Sequence, residues 1–199
     1  MEAGTAPKWN AVSDDKGTMM TTERLPTDRT IFQNAWVVDD AEAAAMRWAT
    51  EFGAGPVFVT EYTAHLSDVI YRGQPSEPST IVGLAQAGPV QVELIQPTTD
   101  KPCAYRDSVE PGTVGFHHMC VWTHDIDADT AYFEELGYPT ANMGDAGHVR
   151  FAYYDTRPFM GCMLEVVEHR PAIAEHFQHI ADAGAHWDGT RPIRSRSEI

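Results

Sequence analysis

The stretch FHHMCVWTHDID, residues 116–127, is built like IFQNAWVVDD, residues 31–40. Each is an apolar run with a metal-type ligand near its start and aspartate near its end. Gln33 holds that place in the earlier run and His118 in the later one, at an offset of 85. Two further runs repeat in the same order, with Glu93 inside VQVELIQP and Glu165 inside CMLEVVEH, at an offset of 72. Successive side chains of a strand point to opposite faces. On that parity Gln33, Ala35 and Val37 share a face, opposite Phe32, Trp36 and Val38. His118, Cys120 and Trp122 oppose His117, Met119 and Val121. Glu93 sides with Gln91 and Ile95, and Glu165 with Met163 and Val167. A carboxylate at the centre of an apolar strand is costly to bury unless it is paired or holds a metal. Here it happens twice, at equivalent positions. One amide oxygen, one imidazole and two carboxylates brought to one point make a plausible set of ligands for a divalent cation. His117 is the alternative to His118, because a register slip of one residue exchanges them.

The surroundings of the four runs also repeat. Ile31 to Val38 reads as a strand, and Asp39 and Asp40 are suited to cap a helix from about Ala41 to Phe52. Ala45, Trp48 and Phe52 form its apolar stripe. Strands are expected over Val57 to Thr63, Val69 to Gly73, Thr80 to Gln86 and Val90 to Gln96, divided by Gly and Pro. The order then restarts: a strand over Phe116 to Thr123, a cap at Asp125 or Asp127, and a helix over Ala128 to Leu136. Strands follow near Thr140 to Met143, His148 to Asp155 and Gly161 to Glu168. The pattern predicts an α+β fold of tandem β-α-β-β-β modules over 30–97 and 115–169, each too small to bury its sheet alone. Residues 1–29 are polar and aperiodic and read as a flexible arm. Residues 170–199 read as a helix and tail, with Ile173, Phe177 and Ile180 on one stripe, packed on the outside of the pair.

Composition narrows the function. With 199 residues, 43% of them hydrophobic, the chain buries a real core. A formal charge of −15 argues against nucleic acid or an anionic membrane as partner, since both repel it. A small anionic substrate remains compatible if a cation or local arginines reverse the field. No window approaches the roughly 18 apolar residues of a membrane-spanning helix. The first residues hold no apolar signal core. Cys103, Cys120 and Cys162 are odd in number and show no CxxC spacing. Buried thiols in a reduced, cytoplasmic chain are expected.

The phrases VELIQP, GFHHMCVWTHDID and GCMLEVVEH resemble the vicinal oxygen chelate superfamily, the glyoxalase, bleomycin-resistance and dioxygenase fold. The likeness runs from about Ile31 to His169, and YRGQP and the tail IADAGAHWDGTRPIR resemble a bacterial glyoxalase-like branch. The resemblance implies a curved mixed sheet around a metal-binding cavity, with Gln33, Glu93, His118 and Glu165 as metal ligands. A Gln, Glu, His, Glu set is similar to that of lactoylglutathione lyase and close to the His, Gln, His, Glu set of methylmalonyl-CoA epimerase. Oxygen and nitrogen ligands suit one divalent ion among Mg, Mn, Co, Ni, Zn and Fe. Such an ion polarises a carbonyl, and a base within hydrogen-bond reach takes the neighbouring proton. Glu93 and Glu165 are the catalytic candidates, and the apolar neighbours Met163 and Val167 favour Glu165.

The expected function is that of a metal-dependent isomerase, epimerase or lyase. It would act by proton abstraction next to a metal-bound carbonyl of a small organic acid or thioester. The alternatives are a non-catalytic small-molecule binder of the bleomycin-resistance type and an Fe(II)-dependent dioxygenase with His148 as its second histidine. Trp122 and Met163 share faces with the ligands and are expected to wall the substrate. Tyr71, Arg72, Arg150, Tyr153, Tyr154 and Arg157 lie on middle strands or their ends, where Arg72 and Arg150 offer a grip on an anion, although arginines so placed more often stand in solvent or pair with one of the 29 acids. The resemblance also implies a homodimer.

Overall fold

The computed structural model describes residues 29–62, 67–145 and 149–199. His148 and the expected arm, apart from Arg29, lie outside the described residues. The chain runs through β1 (Ile31–Val37), α1 (Ala41–Arg47), β2 (Val57–Tyr62), a hairpin of β3 (Ser67–Tyr71) and β4 (Gln74–Pro75), β5 (Thr80–Ala87) and β6 (Val90–Pro97). The order then repeats as β7 (Gly115–Thr123), α2 (Ile126–Glu135), β8 (Thr140–Asp145), β9 (Arg150–Tyr154), the short α3 (Arg157–Met160) and β10 (Met163–Glu168). The tail adds α4 (Pro171–Ala185) and β11 (Ile193–Ser195).

All these strands join one curved, unclosed mixed sheet in the order β11-β2-β5-β6-β1-β7-β10-β9-β8-β3-β4. At its centre β1 and β7, the first strands of the two repeats, pair antiparallel. Each is flanked on its other side by the last strand of its own repeat, in parallel: β6 beside β1 and β10 beside β7. The four strands that carry the candidate ligands are therefore adjacent. The outer edges are covered as well, since β11 pairs β2 and the β3–β4 hairpin crosses over to pair β8. Paired edges leave fewer open backbone groups to recruit other chains.

Local chemistry sets the helices. Asp40 and Asp125 each accept a bond of 2.9 Å from a backbone N–H three residues on, at Ala43 and Ala128. Such caps contribute about 1 kcal/mol apiece. The buried stripe is Ala41 and Ala45 of α1 with Ala49 just beyond its end, which lets the helix sit close on the sheet. The expected stripe of Ala45, Trp48 and Phe52 is corrected accordingly. Residues Trp48–Phe52 form a wide π-type turn closed by Gly53 N–H to the Trp48 carbonyl. That widening leaves Trp48 only half-buried and Phe52 at the surface, 68% exposed.

The tail is also placed differently from expectation. Instead of packing outside the pair, α4 lies on the concave side. Ile180 is buried in the same apolar cluster as Val82 and Leu84 of β5. The apolar concave face of the first repeat needs cover, and the stripe Ile173, Phe177 and Ile180 supplies it. Docking is tight. A Cβ at Gly55 would stand 2.8 Å from the Trp187 ring, so glycine is required there.

Candidate metal centre

The cross-strand register aims four ligand-bearing strands at one spot. Ala35 is paired with Glu93 on one side and with His118 on the other, and Cys120 is paired with both Gln33 and Glu165. Directly paired residues share a face. Gln33, Glu93, His118 and Glu165 consequently project from the concave side. His118 Nε2 stands 3.1 Å from Glu165 Oε2 and 3.3 Å from Glu93 Oε2. The ligand atoms of these three residues all lie within 4.8 Å of one another. Two atoms each about 2.1 Å from one ion stand roughly 3 Å apart, so the spacing suits a shared cation. Gln33 is buried on the wall of the same cavity, and its Nε2 donates to Gln91 Oε1 at 2.6 Å. That bond leaves the amide oxygen as the atom Gln33 can offer.

Parity misplaces two residues. The β1–β7 pairing slips between Ala35 and Trp36, so that His118 and Phe116 face successive residues and His117 is extra. A bulge of this kind re-aims a side chain. The fully buried His117 ring therefore lies on the cavity side rather than the helix side. It sits 5.3 Å from Tyr105 and 5.6 Å from Tyr153, ring centre to ring centre. A second slip, between Ile31 and Gln33, brings Phe32 round to stack on Trp122 at 4.4 Å.

The bulge also gives His117 a task. Its Nε2 is 3.0 Å from the Ala104 carbonyl and its Nδ1 is 2.9 Å from His118 Nδ1. A carbonyl only accepts, so His117 carries its proton on Nε2 and accepts at Nδ1. His118 must then donate from Nδ1, which directs its Nε2 lone pair at the two carboxylates. Burial, aided by the neighbouring His118 charge, pushes His117 down to about 3 and keeps it neutral.

A pocket of about 110 Å³ opens above this cluster. Gln33, Glu93 and Glu165 line it with Tyr105, Tyr153, Val82, Leu84, Phe151, Val167, Ile173, Phe177 and Arg196. Sequence reasoning missed Tyr105, which comes from the connection between the repeats, and Arg196. Trp122 and Met163 share the concave face as expected but do not line the cavity. Trp122 packs on Phe32, and Met163 is buried core. Arg72 and Arg150 are taken up by acids: Arg72 pairs with Asp107 and Asp155, and Arg150 with Asp127. Tyr71 donates to Asp107, Arg157 pairs with Asp155, and Tyr154 meets Thr130 on the helix side.

The model of the glyoxalase/bleomycin resistance protein/dioxygenase superfamily matches residues 32–153, more than half of the chain. The chain belongs to this superfamily. Several solved structures are similar to this chain. A hypothetical protein from Bacillus halodurans C-125 matches at 14% identity and a TM-score of 0.50, covering 72% of this chain and 96% of its own. A variant methylmalonyl-CoA epimerase from Streptomyces coelicolor, in complex with 2-nitronate-propionyl-CoA, matches at 17% identity and a TM-score of 0.48, covering 72% and 95%. The methylmalonyl-CoA epimerase of Mycobacterium tuberculosis matches at 15% identity and 0.46, covering 77% and 99%. A comparison with curated proteins gives no match.

Members of this superfamily commonly use a metal, and the chemistry of the cluster fits one. His118 Nε2 and Glu93 Oε2 are both buried without a hydrogen-bond partner, an arrangement that a cation between them satisfies. Burial pushes the Glu93 carboxyl above its ordinary value, with Glu165 adding to the effect. Burial alone would lower His118, but the Glu165 and Glu93 carboxylates overcome it and hold the imidazole raised at about 9. The Cys120 thiol is pushed well up by burial and by Glu165, so it remains a thiol rather than a thiolate ligand. All three cysteines are buried and free, as expected.

A proton on His118 and a cation compete for one lone pair, which fixes the sign of a pH effect. Apparent metal affinity should rise with pH, by up to about tenfold per unit, and level off above about 9, where His118 is neutral. Metal titrations at several pH values check this. A flat profile below that point would contradict it.

Proposed function

We propose that the chain is a metal-dependent isomerase, epimerase or lyase that removes a proton next to the carbonyl of a small organic acid or thioester. The observation that carries this reading is the convergence of Glu93, His118 and Glu165 on one point beneath a cavity. Together with the Gln33 oxygen they would hold one divalent ion among Mg, Mn, Co, Ni, Zn and Fe(II), and no thiolate takes part. Such an ion, when bound, acts as a Lewis acid that stabilises negative charge developing on the substrate oxygen.

Everything else falls to the chain's own side chains. Glu93 is the better-placed base, because its side chain is the more open to the cavity, 16% exposed against 8% for Glu165. This shifts the preference away from Glu165, which the sequence favoured. Tyr105 and Tyr153 line the cavity with their phenols held protonated by burial, so they offer hydrogen bonds without taking the proton. Val82, Leu84, Phe151 and Val167 wall off water and strengthen these electrostatics. The pocket has room for roughly eight water-sized positions, enough for a small acid or the acyl end of a thioester.

Metal analysis of protein purified without chelator tests the reading together with solvent exchange. The expected result is one divalent ion per chain and deuterium from heavy water at the carbon beside the substrate carbonyl. Oxygen consumption without exchange would favour the dioxygenase alternative, and tight binding without turnover the sequestering one.

Three unpaired thiols suit a reducing compartment, and we place the protein in the cytoplasm on that ground. Among the described residues no helix is long and apolar enough to cross a membrane. A homodimer is also part of the proposal. Trp36, Trp48, Phe52 and Phe116 form a chain of ring contacts, with Phe52 and nearby Val114 more than 60% exposed. An exposed aromatic patch of that kind marks an interaction surface. Light scattering should give twice the chain mass, falling towards one chain on Phe52→Asp. A monomeric wild type would reject the dimer.

A further inference from the structure

Resting on the metal reading of the cluster, we propose that Arg72 is a positioning residue for it: through Asp107 it fixes the turn that presents the Ala104 carbonyl to His117 and Tyr105 to the cavity. Arg72 is not part of the cavity wall, so it acts through its partners. The turn, Ala104–Asp107, lies in the connection between the repeats. Its Ala104 carbonyl stands 3.0 Å from His117 Nε2, the first step of the relay that aims His118, and its Tyr105 lines the cavity. A helical turn of 4 residues has little rigidity of its own, so its position has to be fixed from outside.

Distant parts of the chain meet there to fix it. Arg72, at the tip of the β3–β4 hairpin, sets its Nη2 2.6 Å from Asp107 Oδ2 and 2.8 Å from Asp155 Oδ2. Tyr71 of the same hairpin donates to Asp107 Oδ1 at 2.6 Å. Arg157, just after β9, forks onto both oxygens of Asp155 at 2.7 Å and also donates to the Asp107 carbonyl. Asp107 is thereby held through both carboxylate oxygens and through its backbone. Isolated surface ion pairs contribute little, but forked pairs joined in a network keep their geometry. Both acid side chains are 12% exposed. Arg157, aided by Arg72, holds the Asp155 carboxyl down at about 2, so that acid stays charged at neutral pH.

The hairpin turn supports this role. Tyr71 pairs with Gln74 across Arg72 and Gly73, whose φ values are both positive, at 45° and 78°. Asn-Gly is the pair such a turn favours, because most side chains are strained in a left-handed backbone. An arginine set against that local preference is the mark of a residue needed for something beyond its own turn. The hairpin belongs to the first repeat but pairs with β8 of the second, which carries Arg72 across to Asp155.

The test compares wild type with Arg72→Asn, which suits the turn and removes the guanidinium, in two measurements. Amide hydrogen exchange of the metal-free protein reads the turn, and titration with cobalt(II), followed by its visible absorption, reads the site. Arg72→Asn should speed exchange in the Ala104–Asp107 turn by roughly tenfold or more, as a local opening without global unfolding. Cobalt affinity should fall by about tenfold, the lower end of what an outer partner of a ligand is worth. Asp107→Asn, which breaks the network from its other side, should do the same. In a His117→Ala background, where the relay is already cut, Arg72→Asn should weaken cobalt binding no further. A network that only stabilised the fold would instead lower the melting temperature and leave cobalt affinity as it was. Unchanged exchange of the turn, unchanged cobalt affinity in Arg72→Asn, or losses that add in the double variant overturn the positioning role and leave the metal reading intact. A wild type that binds no cobalt overturns the metal reading, and the positioning role with it.

Discussion

His118→Ala should strip the metal that this site would hold. The imidazole is the only nitrogen ligand among the candidates and lies between the two carboxylates, 3.1 Å from Glu165 and 3.3 Å from Glu93. Its removal leaves two acids facing each other with less to hold a cation. Metal affinity should fall by more than the roughly 10- to 100-fold that losing an outer partner of a ligand costs. Glu165→Ala should do the same. His117→Ala should cost about that smaller amount, because the Ala104–His117–His118 relay that presents the Nε2 lone pair is broken while the ligand stays. Parity alone, which turns His117 to the helix side, predicts no effect. Equilibrium dialysis with each variant, on protein shown to be folded by circular dichroism, separates the cases. If His117→Ala abolished binding and His118→Ala spared it, the assignment of the ligand would be wrong.

Glu93→Gln should abolish turnover while the metal stays. The amide keeps an oxygen that can ligate but has no basicity, so rate should drop by roughly 10² to 10⁴, the usual range for a lost general base. Exchange of deuterium into the substrate should vanish with it. Glu165→Gln should instead weaken metal binding, with activity recovering as metal concentration rises. The asymmetry follows from the more open position of Glu93 towards the cavity. If Glu165→Gln alone abolished exchange at saturating metal, the two roles would be reversed.

Much of the site is legible in the chain because a strand has a period of two and the fold repeats. Gln33, Glu93, His118 and Glu165 all project from the concave face. The two aspartate caps, the four ligand strands and the restart after residue 115 were readable for the same reason: each rests on contacts within a few residues. Arg72 and Arg150 show where that kind of reading stops. Their place on middle strands left anion binding and pairing with an acid both open, and acids distant in sequence, Asp107 for Arg72 and Asp127 for Arg150, decide for pairing.

By itself, then, the sequence determined the repeated order of strands and helices, the strands that carry the candidate ligands, the acidic composition and the membership of a superfamily. All of these are written in local periodicity and repeated motifs. Only the tertiary structure decided that a bulge turns His117 inward to orient His118. It alone showed that Tyr105 and Arg196 reach the cavity from the connection and the tail, and that α4 covers the concave face. A bulge arises from the competition of two strands for one ladder, and a wall from segments far apart in the chain. Neither leaves a period for a sequence to display.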